Sequence, residues 1–89
     1  MKKPKHNPRP KAAYLEVVEN QLRDNDPPET RHTLTRLKRM GISEQDAKLM
    51  IASAIAAETY WIMKNGQSFN RDRFIRNLHL LPEQDFDAE

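Results

Sequence analysis

One carboxylate in this chain stands where chemistry could occur. Glu58 lies between Ile55 and the pair Trp61 and Ile62, at spacings of three and four residues. Those steps put it on the same helical stripe as Ala47, Met50, Ile51 and Ala54. A carboxylate among apolar side chains must be ion-paired, hydrogen-bonded or protonated. Paired, it is a lock between helices. Left with a shifted proton affinity, it is an acid/base group or a ligand-binding carboxylate. The segment that follows supplies the cations, and Arg73 and Arg76 are the expected partners. Arginine suits the task because its fork can give a carboxylate two bonds.

The rest of the chemical inventory is thin. His6, His32 and His79 are scattered, and there is no cysteine. A zinc site would need His32, His79 and Glu58 to converge in space. Ser43, Ser53 and Ser68 lack the strand-turn-helix setting of a nucleophilic serine. Two glycines in the whole chain exclude a phosphate-cradling glycine loop. No catalytic, metal-binding or cofactor-binding residue is therefore expected, and no cofactor. A basic face remains on the segment before Gly41: Arg31, Arg36 and Arg39, with His32 and Lys38 beside them. Such a face can meet phosphates. Residues 36–47 also outline a helix, a glycine turn and a capped helix, as in a helix-turn-helix. The second helix soon turns apolar where a recognition helix would stay polar.

The element that must position Glu58 spans residues 43–65. Ser43 is placed as its N-cap, with Glu44 and Asp46 at the positive end of the helix dipole. Gly66 ends it, since a left-handed cap suits glycine. A second apolar line, Leu49, Ala52, Ala56, Tyr60 and Met63, runs along another side. Its uncharged run is far shorter than the roughly 20 residues of a membrane span.

Three more helices are expected around it. The first runs over residues 11–24, with Tyr14, Leu15, Val18 and Leu22 inward. The second starts at Asp26-Pro27-Pro28-Glu29, with Asp26 as cap and a proline at the first helical position. It carries Thr30, Leu34, Leu37 and Met40 inward and stops at Gly41, with Ile42 folded back on Leu37. The fourth begins after Asn70, with Phe69 and Phe74 at staple spacing. Phe74, Ile75, Leu78 and Leu81 face its core side, and Pro82 stops it. No period-two alternation occurs, so no strand is expected. The fold class read from this pattern is all-α: a compact four-helix domain with a long, largely buried third helix.

Charge divides the chain into three parts. The first eleven residues hold five of the 15 Lys/Arg and no acid. The last seven hold four of the 13 Asp/Glu and no base. Residues 1–10 read as a disordered basic arm, 11–82 as the helical domain, and 83–89 as a disordered acidic tail with Phe86 as its single large apolar residue. The body between the ends is nearly neutral, which argues against a strongly basic nucleic-acid domain. The start lacks the apolar stretch of a signal peptide, and a cytoplasmic protein is expected.

The spacing of Pro27, Pro28, Glu29, Arg36, Leu37, Gly41, Ser43, Ala47, Ile51, Glu58, Tyr60, Phe69, Leu81 and Pro82 resembles a group of small, uncharacterised bacterial all-helical proteins. The resemblance covers about two thirds of the chain and implies the fold. It brings no established activity and no site residue. The leading expectation is a non-enzymatic protein-protein interaction or scaffold module that self-associates, as a homodimer. The alternative is a nucleic-acid-binding accessory protein using the basic second helix and N-terminal arm. The third is a ligand site or enzyme centred on Glu58.

Overall fold

The computed structural model describes residues 10–84. It contains α1 (Pro10–Asp24), α2 (Pro28–Arg39), α3 (Glu44–Asn65) and α4 (Arg71–Leu80). The protein is an all-α four-helix domain, and α3 packs against each of the other three helices. At about 1.5 Å per residue α3 is roughly 33 Å long, well beyond any neighbour. Most of the basic arm and acidic tail lies outside the described residues. Pro10, assigned to the arm, opens α1 instead, and Glu83 and Gln84 are both hydrogen-bonded to the body.

Each helix stop has a physical cause. Asn25 takes a left-handed φ of 53°, and the amides of Asn25 and Asp26 bond back to the Leu22 and Gln21 carbonyls. Gly41, at φ 93°, makes the same motif after α2. There the Gly41 amide bonds to Lys38 O at 3.0 Å and the Ile42 amide to Leu37 O at 3.1 Å. Ile42 then packs on the core cluster that contains Leu37. Ser43 Oγ accepts from the Asp46 amide at 3.1 Å, and Gly66, at φ 66°, closes α3.

One start differs from expectation. Asp26 does not cap α2; Pro27 is the N-cap residue, with no side-chain bond, and Pro28 is the first helical residue. Two prolines in sequence move the boundary one residue on, because the extended Pro27 cannot begin the helix and Pro28 lacks the amide that would need capping. Asp26 pairs instead with Arg71 at 3.2 Å, joining the starts of α2 and α4.

The core gathers Val18 and Leu22 of α1, Leu37 of α2, Ala47, Ile51, Ala52, Ala54 and Ile55 of α3, and Phe74 and Leu78 of α4, with Leu81 beyond it. Met40 was expected inside; it is 54% exposed, because α2 has already ended there. α3 is buried through its middle, from Ala47 to Glu58, and emerges toward its C-terminal end. Tyr60 is 55% and Met63 79% exposed on the second apolar line. α1 explains this. It crosses α3 with Glu19 beside Lys48 and with Lys11 and Tyr14 near Ala52 and Ala56, so the second apolar line runs out from under it. No helix among the described residues is long and apolar enough to cross a membrane.

Candidate functional site

Asn70 caps α4 by accepting from the Arg73 amide at 2.9 Å through its side-chain oxygen. In a capping box, the third helical residue would be Glu or Gln and would return a bond to the cap residue's own amide. Here that residue is Arg73, which has no acceptor. Glu58 of α3 supplies one: its Oε1 accepts from the Asn70 backbone amide at 3.1 Å. The carboxylate thus completes the cap from a neighbouring helix.

Arg73 then binds the same carboxylate from the other side. Its Nε donates to Glu58 Oε2 at 2.5 Å and its Nη2 to Oε1 at 3.1 Å, a two-point contact. The Arg73 guanidinium also lies over the Trp61 ring, 5.0 Å from the centroid. Glu58 is 1% and Arg73 8% exposed. The ring contact of Phe69 with Phe74, at 5.5 Å between centroids, holds the entry of α4 beside the pair. Of the two expected cations, the structure brings Arg73 to Glu58 and leaves Arg76 exposed on the outer face of α4. Three residues separate them, yet only the residue at the third helical position lies above the carboxylate.

This arrangement is a lock between α3 and α4. Both carboxylate oxygens are engaged by three donors, and the lining is apolar. Glu58 does not line the groove described below, which lies on the other side of α3. His32 and His79 are exposed, and the described residues contain no cluster of three metal-type ligands.

The basic face fares differently from its sequence reading. The Arg36 guanidinium donates to the carbonyls of Leu81 at 2.8 Å and Leu78 at 3.0 Å, closing the C-terminal end of α4. Arg31 donates to the Leu22 carbonyl and, at 3.4 Å, to Asn25 Oδ1, closing the end of α1. Lys38 pairs with Glu44 at 3.1 Å. Arg39 stays exposed on the surface. Two of the three arginines are therefore committed to carbonyls at the negative ends of neighbouring helices. Spacing alone gave no sign of this. For Asn70 a sign existed: an asparagine cap with arginine at the third helical position needs an outside acceptor.

The remaining surface feature is a groove of about 310 Å³ between α1 and α3, lined by Lys11, Tyr14, Leu49, Ala52, Ser53 and Ala56. Helical geometry puts Ala52, Ala56, Tyr60 and Met63 in one line, on the side of α3 away from Glu58. Comparison with family models, with curated proteins and with solved structures finds no match to this chain.

Proposed function

We propose that this protein is a non-enzymatic interaction module that self-associates through the exposed Tyr60–Met63 line of α3. The observation that carries the proposal is the pair Tyr60 and Met63, 55% and 79% exposed on an apolar line that the chain's own helices leave uncovered. A second copy is the occupant that best fits. The same line, presented twice about a two-fold axis, is self-complementary. Small residues at Ala56 and Ala57 allow two α3 helices to approach closely. The absence of cysteine is in keeping with a cytoplasmic setting.

Nothing in the Glu58 site favours catalysis, since its oxygens already have donors. The nucleic-acid reading loses Arg31 and Arg36 to helix ends and keeps Arg39. Sedimentation equilibrium of the full chain tests the proposal. Mass should rise from monomer to dimer across the micromolar range. A single monomeric species at high micromolar concentration would overturn it.

A further inference from the structure

Of the chain's four methionines, Met63 stands apart by its surroundings. It is 79% exposed, on the apolar line that carries the proposed self-association. Met40 is 54% exposed, but its sulfur lies 3.9 Å from the Arg36 Nη1 donor. Met50 is half-buried and packs against the core cluster. Met1 lies outside the described residues. Among the described residues, the Met63 sulfur has no donor like the one at Met40. The Tyr60 ring, three residues earlier, already holds a cation: Lys64 Nζ lies 5.6 Å from its centroid. The chain has no cysteine, so no thiolate competes for an oxidant. Its methionine sulfurs are then the groups that a mild peroxide oxidises first.

The step is a direct oxygen transfer. The Met63 thioether gives an electron pair to one oxygen of a hydroperoxide, and the S–O bond forms as the O–O bond breaks. The sulfur is oxidised to the sulfoxide. The other peroxide oxygen is reduced, takes the proton of the transferred one and leaves as water or an alcohol. The product changes the face, because a flexible apolar side chain becomes a polar one. Exposed, the new oxygen is hydrogen-bonded by water. Packed against the apolar line of a second copy it loses that water, and burying a polar group without a partner is unfavourable. A two-fold dimer meets this loss twice, once at each Met63.

We infer that Met63 is an oxidation site that controls self-association: a hydroperoxide converts it to the sulfoxide and the dimer dissociates. The inference rests on the self-association reading and adds a reciprocal effect. The face that pairs covers the sulfur, so pairing slows oxidation and oxidation prevents pairing.

The test treats the full chain with hydrogen peroxide. Peptide mass spectrometry locates the added oxygen, and sedimentation equilibrium reads the mass. Met63 oxidation should slow as concentration rises into the dimer range, while Met40 oxidation keeps its rate. The oxidised chain should dimerise at least about tenfold more weakly. Methionine sulfoxide reductases acting on both epimers should restore the dimer, which reads the same claim without a variant. Met63→Leu keeps an apolar side chain of similar volume without the sulfur, and should stay dimeric in peroxide. A wild-type dimer that persists with Met63 oxidised would overturn the inference and leave self-association standing. So would a Met63→Leu dimer that peroxide dissociates. An untreated chain that is monomeric throughout would overturn self-association, and this inference with it.

Discussion

Glu58 and Arg73 form the pair on which the α3–α4 seam depends. Breaking a buried pair strands the remaining charge, so Glu58→Ala should cost roughly 3–5 kcal/mol in chemical denaturation. Glu58→Gln keeps an acceptor for the Asn70 amide and should cost less. Glu58→Leu with Arg73→Met should recover much of the loss, because apolar residues of similar volume often replace a buried pair without penalty. Recovery should be incomplete. The Asn70 amide would still lack its acceptor, a deficit of about 1–3 kcal/mol. An unchanged midpoint for Glu58→Ala would contradict the role given to this carboxylate. Its burial was legible in the sequence, because the stripe position and the apolar neighbours depend only on helical period. The choice of Arg73 over Arg76 was not, because it depends on how α4 is rotated over α3. The box completed from another helix was hidden for the same reason.

Helix ends and the bridges between helices are the next scale. Arg36→Ala should destabilise by about 1–3 kcal/mol, since two carbonyls at the end of α4 lose a charged donor. Arg39→Ala, at an exposed site, should stay within roughly 0.5 kcal/mol. Equal effects of the two would contradict the capping role of Arg36. A chain of ion pairs, Glu19–Lys48–Glu44–Lys38, with Lys48 half-buried and its partners exposed, links α1, α3 and α2. The hydrogen bond from Lys38, then that from Lys48, holds the Glu44 carboxyl below its ordinary value. A group lowered in the folded state stabilises above its unfolded pKa and loses that contribution as pH falls through the folded one. Lys48 is held above its ordinary value, first by Glu19, so its contribution is lost as pH rises through its folded pKa. The cluster therefore supports the fold between about pH 5 and pH 10. Urea midpoints should drop from pH 6 to pH 3, and Lys48→Met should reduce that drop; an identical drop in the variant would contradict the linkage. Caps at Ser43, Asn70, Gly41 and Gly66 were legible because each rests on local backbone geometry. The α2 start was misread by one residue because either proline fits the first helical position, and only the backbone around Pro27 decides between them. Arg31 and Arg36 act over nine and 42 or more residues of chain, beyond any local signal.

For the whole molecule the decisive asymmetry is length. A helix of 22 residues is packed by helices of 15, 12 and 10 residues, and its Tyr60–Met63 line is left uncovered. The sequence displayed two apolar lines on α3 but could not say where cover would end, because that depends on where α1 crosses. The account holds that the uncovered stretch exists to meet another copy. Sedimentation equilibrium of the full chain beside Met63→Lys tests this most directly. Met63 is 79% exposed, so the lysine should leave the monomer fold and its melting temperature intact. The wild-type chain should dimerise in the micromolar range while Met63→Lys stays monomeric over the same range. Identical mass distributions for the two, whether both monomeric or both dimeric, would contradict self-association through this face.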